Sequence, residues 1–285
     1  MTLYSAVDKA VITVWPRVQY YRDLGVLVVQ DRNKVLEQER LTREAQEYLN
    51  AKNKEAAFRA YWTVPAQFSL IQVDVFGGNA ETQAARAAVE NIGRVFQWVK
   101  AADDVVDEQG GLRVGNLENI YALLQRGRKP ASGAEAYILE EYNRFDSAVQ
   151  YRLDRVYQEE LRQCNATNDK ERYHARGEVG RSLGLLEGHI IQTHVEWLPD
   201  SITQFLELTG VGGAYFDDVK DFYLDRKSGY GYETNMRGKL CLGFVSDLAG
   251  AMRVLTPKQA TRECAFLALG GLYQVREVIG VQERT

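Results

Sequence analysis

Apolar positions recur at three- and four-residue spacing along most of this chain, and that period predicts helices. Val64 to Phe76 is almost continuously apolar, as an inner helix would be, and Gly77-Gly78-Asn79 supplies its stop. Leu36 to Arg59 has few apolar positions among Glu, Gln, Arg and Lys, which predicts an outer helix. From Ala80, small and apolar residues at helical spacing predict one long helix through Asp107, ended by Gln109-Gly110-Gly111. Asn116 to Gln125, Glu135 to Gln163, Glu171 to His194, Ser201 to Asp225, Lys239 to Leu255 and Thr261 to Val278 read as further helices. No run alternates with period two and no segment repeats, so the expected fold class is all-α. The Glu171 to His194 segment carries Gly177, Gly180, Gly184 and Gly188, each costing about 1 kcal/mol relative to Ala in a helix. Close helix packing, a kink beside a ligand, or a break in a loop would each account for them.

The polar pattern is least ordinary at two places. Asp103-Asp104-Val105-Val106-Asp107 and Asp217-Asp218-Val219-Lys220-Asp221, with Asp225 following, lie in apolar helical sequence more than a hundred residues apart. Residues i and i+4 share a helix face, so Asp103 and Asp107 form one row and Asp217, Asp221 and Asp225 another. Like charges at that spacing repel, and the first row falls at a helix C-terminus, where the macrodipole disfavours negative charge. For either cluster alone the plain reading is a solvated acidic helix end. Together they suggest a site for Mg²⁺, which takes one or two carboxylates per ion and completes its shell with water and substrate phosphates. The chain thus reads as a magnesium-dependent enzyme acting on a diphosphate.

Composition narrows this further. With 285 residues, 45% of them apolar, the chain supports one large core, and no structureless tract divides it. We expect a single domain over 1–285, with outer N-terminal helices in 1–55 and a catalytic bundle in 56–285. A formal charge of −4, with Lys and Arg scattered, offers no basic surface for nucleic acid. No segment approaches the roughly 20 apolar residues of a membrane span, and the N-terminal sequence lacks a secretory pattern, so a cytoplasmic location is expected. Cys164, Cys241 and Cys264 lack zinc or disulfide spacing and are expected as free thiols. His174, His189 and His194 form no metal signature.

The stretch Ala102-DDVVDEQGGLRVG-Asn116 resembles the first aspartate-rich motif of the trans-isoprenyl diphosphate synthases, DDxxD followed by Leu-Arg-Arg-Gly. DDVKDFYLD, from Asp217 to Asp225, is similar to that family's second motif, and Arg237-Gly238-Lys239-Leu240 to its Gly-Lys-x-Thr-Leu-Pro segment. The resemblance covers roughly residues 55 to 250 in the family's order. It implies an isoprenoid synthase helical bundle, a homodimer, and clusters that face each other across a cavity, with about three Mg²⁺ ions bridging them to an allylic prenyl diphosphate. Asp103 and Asp107 would carry the first metal pair and Asp217 and Asp221 the other ion, supported by Asp104, Asp218 and Asp225. Arg113 would hold the diphosphate, assisted by Arg176, Lys227 and Lys239. Phe96, Trp98 and Phe216 would line the prenyl cavity, with Trp98 limiting it to a short chain.

Two departures redirect the expected activity. Where the family binds isopentenyl diphosphate through Gly-Lys-Arg-x-Arg-Pro, this chain reads Ala57-Phe58-Arg59-Ala60-Tyr61-Trp62. The second arginine after the first motif is Val114. Both remove positive charge from an acceptor diphosphate. The expectation is therefore a terpene synthase that ionises an allylic diphosphate and cyclises or eliminates, without isopentenyl diphosphate. The alternatives are transfer of the allylic group to another acceptor, a divergent prenyl diphosphate synthase using residues such as Arg59 and Lys100, and a regulatory subunit of a prenyltransferase.

Overall fold

A computed structural model describes residues 41–108, 113–195, 197–228, 232, 236–261 and 263; at 56, 57, 60, 108 and 220–228 it describes the backbone alone. The described residues are helical and connecting segments, with no strand among them, so the chain is all-α. The helices are α1 (Arg43–Lys52), α2 (Ala56–Val75), α3 (Gln83–Glu108), α4 (Arg113–Gln125), α5 (Gly133–Tyr142), α6 (Ser147–Cys164), α7 (Asp169–His194), α8 (Ser201–Ser228) and α9 (Met236–Val254). Residues 257–261 are also helical. None of these helices is long and apolar enough to cross a membrane.

Chain neighbours pack side by side: α2 on α3, α6 on α7, α7 on α8 and α8 on α9. The long α3 also touches α4, α5 and α7, so α7 lies against both helices that carry aspartate clusters. The α7–α8 seam explains the glycines. A Cβ on Gly180 would collide with the Gly210 carbonyl oxygen, and one on Gly184 with that of Leu206. Of the three accounts the glycine density left open, close helix packing is the one observed at Gly180 and Gly184, which sit inside a helix continuous to His194.

Several boundaries differ from those the sequence predicts. The charged stretch Leu36 to Arg59 is not one helix where it is described: α1 ends at Lys52, and α2 begins at Ala56. Arg59 Nη1 donates to the Asn53 carbonyl at 2.6 Å, holding the turn between them. The inner helix starts eight residues before Val64 and runs through Pro65, whose ring nitrogen cannot donate to the Tyr61 carbonyl. The expected Glu135 to Gln163 helix is two, α5 and α6, because Asp146 caps α6 by accepting from the amides of Ala148 and Val149. The stop after α2 holds as expected: Gly77 takes a left-handed φ of 92°, and Gly78 N donates to Val73 O at 2.7 Å. The Thr261 to Val278 helix lies almost wholly outside the described residues.

One core runs from Leu49 through Trp62, Leu70, Ile92, Leu123, Ile138 and Ile191 to Phe205. Two buried glutamates inside it are held by hydrogen bonds from side-chain donors. Ser69 Oγ donates to Glu187 Oε1 at 2.6 Å, and Gln72 Nε2 to both Glu263 oxygens at 3.1 Å. Burial raises both glutamates to about 7, with Ser69 and Gln72 opposing the shift.

Candidate functional site

Asp103, Asp104 and Asp107 occupy the end of α3, one turn beyond Lys100. The i, i+4 geometry brings Lys100 Nζ within 2.6 Å of Asp104 Oδ1 and 3.3 Å of Asp103 Oδ2. Lys52, the last residue of α1, reaches Asp104 Oδ2 at 3.2 Å. Arg113 begins α4 and donates from Nη2 to Asp103 Oδ1 at 3.2 Å and from Nη1 to Asp107. Cations therefore gather where the helix dipole and the aspartates both place negative charge. Burial and then the neighbouring charge of Asp103 still raise the Asp107 pKa, against Arg113 and Lys100.

The second cluster is held from a neighbouring helix. Arg176 of α7 donates from Nη2 to Asp217 Oδ2 at 3.1 Å, and its Nε lies 2.9 Å from Asp218 Oδ1. Burial works against the guanidinium charge, but Asp218, Glu160 and Asp217 more than offset it and hold Arg176 protonated. Asp218 is 10% exposed and Asp217 52% exposed, so one carboxylate is anchored and the other opens to solvent.

Glu160 of α6 joins the two halves. Its Oε2 lies 3.8 Å from Arg113 Nη2 and its Oε1 3.6 Å from Arg176 Nη1. An unbroken charge path thus runs Asp107, Asp103, Arg113, Glu160, Arg176, Asp217 and Asp218. Tyr61 stands beside it, with Lys100 Nζ 5.6 Å from its ring centroid. Burial, then the charges of Asp103, Asp217 and Glu160 against Arg176, raise the Tyr61 hydroxyl pKa.

All the donors here are carboxylate oxygens, the class that suits Mg²⁺, and Asp107 (54% exposed) and Asp217 can be approached. Among the described residues no three acidic, thiol or imidazole side chains converge as a ready cage. Four cations, Lys52, Lys100, Arg113 and Arg176, face six carboxylates, Asp103, Asp104, Asp107, Glu160, Asp217 and Asp218. A diphosphate entering such an acidic site requires added positive charge.

Other expected site residues lie elsewhere. Trp98 is buried between α3 and α5, donating from Nε1 to the Ile138 carbonyl at 2.8 Å, beside Tyr142 and Phe145. It serves the core there, as does buried Phe96. Phe216 is 52% exposed, against Phe244 at 5.3 Å between ring centroids. Lys239 sits 4.5 Å over the ring of Tyr173 and lines a separate cavity of about 400 Å³ with Gly177, Arg181 and Asp247. Among the described residues, no cluster aspartate lines that cavity. Asp221, Asp225 and Lys227 fall within α8, but their side chains lie outside the described residues.

Lys52, Tyr61 and Glu160 join the site without a sequence signal of their own. No family model, no curated protein and no solved structure matches this chain.

Proposed function

We propose that this chain is a Mg²⁺-dependent class I isoprenoid synthase with the family's helical bundle, which ionises an allylic prenyl diphosphate and cyclises or eliminates to a terpene. One observation carries the reading: aspartate clusters from helices far apart in sequence meet a single path of ion pairs through Arg113, Glu160 and Arg176. Asp103, Asp104 and Asp107 on one side and Asp217, Asp218, Asp221 and Asp225 on the other are the residues that would hold the metal. Mg²⁺ bound there would neutralise the pyrophosphate as it leaves. Arg113 and Arg176 supply forked donors to its oxygens, in a geometry that lysine cannot reproduce. Tyr61 presents an aromatic ring beside the site, where a developing allylic cation gains from a π face.

A second reading has its own observation. Lys52 and Lys100 converge on Asp104, and Arg59 is fastened to the residue after Lys52. Positive charge thus gathers beside the first cluster despite Val114, as a prenyl diphosphate synthase requires for an acceptor diphosphate. Purified protein incubated with Mg²⁺ and geranyl, farnesyl or geranylgeranyl diphosphate, with and without isopentenyl diphosphate, separates the two. Hydrocarbon from the allylic substrate alone is the expected result. Longer diphosphates formed only when isopentenyl diphosphate is present would replace the first reading with the second.

A further inference from the structure

The contacts along the ion-pair path are unequal. Arg176 lies 2.9 and 3.1 Å from its aspartates and Arg113 donates to Asp103 and Asp107, whereas Glu160 stands 3.6 and 3.8 Å from the two guanidiniums. Those longer separations make charge contacts, beyond the range of good hydrogen bonds. Each Glu160 oxygen serves one arginine, and the side chain is 20% exposed. One small anion thus bridges, loosely, the two donors that a diphosphate spanning both clusters would use.

We propose that Glu160 is a built-in competitor for the diphosphate: its carboxylate occupies the place between Arg113 and Arg176 that the pyrophosphate group takes. The inference rests on the diphosphate reading above and adds a residue that sets affinity and release. Entry of a diphosphate exchanges Glu160 for phosphate oxygens on the same donors. After reaction, the carboxylate regains the arginines and drives pyrophosphate out. Glu160 is a positioning residue in this account and touches no reacting carbon.

Glu160→Gln keeps the shape and removes the charge. Calorimetric titration with inorganic pyrophosphate in the presence of Mg²⁺ should show binding tightened on the order of tenfold, the scale of removing one nearby like charge in a water-open, high-dielectric site. Glu160→Asp, with its carboxylate one methylene further back, should tighten binding less and in the same direction, and serves as the test should the glutamine variant fail to fold. In turnover with an allylic diphosphate, KM and kcat should fall together as release slows, a pattern that a loosened fold does not produce. Unchanged or weaker pyrophosphate binding in folded Glu160→Gln or Glu160→Asp would overturn the competitor role and leave the diphosphate reading standing. Wild-type protein that binds no pyrophosphate with Mg²⁺ would overturn both.

Discussion

The two aspartate clusters solve the same electrostatic problem differently. The first is paired largely from nearby sequence, by Lys100 on the same helix and Arg113 just beyond it, with Lys52 added from α1. The second takes its described pairing from Arg176 on a different helix. Local pairing survives movement of neighbouring helices, since i, i+4 geometry fixes it. Pairing across helices depends on the α7–α8 seam, and so on the glycines that let the two backbones approach. The second cluster is therefore the one whose geometry reports on packing.

The sharpest way to separate them is to remove each arginine. Arg176→Ala leaves Asp218 and Glu160 in a largely enclosed place without their shared cation, and should destabilise by about 4 kcal/mol, the scale of a broken buried pair. Arg113→Ala should cost well under half as much, because Lys100 remains on Asp103 and Asp107 is 54% exposed. Urea unfolding of both variants checks this; equal losses would erase the contrast.

A pH experiment distinguishes either charged cluster from the neutral acids of the core. Glu187, raised to about 7, holds its proton in the folded chain where the unfolded chain has lost it, above about pH 4.5. Stability from this group is fully present below about pH 4.5 and declines as pH rises through 7, by about 3 kcal/mol. Glu187→Gln should remove that decline, so urea midpoints measured at pH 5 and pH 8 should draw together. Next in size is the seam itself. Gly180→Ala sets a methyl against the Gly210 carbonyl and should cost about 2 kcal/mol by overpacking. It should also weaken Mg²⁺-pyrophosphate binding, where a variant of equal cost remote from both clusters would not. Smallest is Thr82→Ala, which removes the hydroxyl that accepts from Ala85 N at 3.1 Å at the start of α3. It should cost about 1 kcal/mol in thermal unfolding and leave both clusters unchanged.

The all-α fold was legible because helical periodicity persists through most of the chain. What misled were local breaks inside strong helix-forming sequence. Asp146 among Tyr, Asn, Arg and Phe looks like one more polar helix position until its side chain caps α6, and the α1–α2 turn lies within a run of Lys, Asn and Glu. At the site, the i, i+4 rows made the aspartates visible, and Arg113 was singled out through the resemblance of Leu112-Arg113 to the family motif. Glu160 was not, since Glu159-Glu160 on a charged helix resembles any solvated face. Only the packing of α6 against α7 sets it between two arginines. Trp98 misled in the opposite direction, because periodicity marks an inward residue without saying whether a cavity or another helix receives it.

That the two clusters act as one metal-dependent diphosphate site is tested most directly by a double-mutant cycle. Mg²⁺-dependent pyrophosphate affinity would be measured for wild type, Asp103→Ala, Asp217→Ala and the double variant, with folding verified for each. The account predicts that either single substitution abolishes most of the affinity and that the second adds little. Losses that simply add, or wild-type protein with no affinity for pyrophosphate, would contradict it.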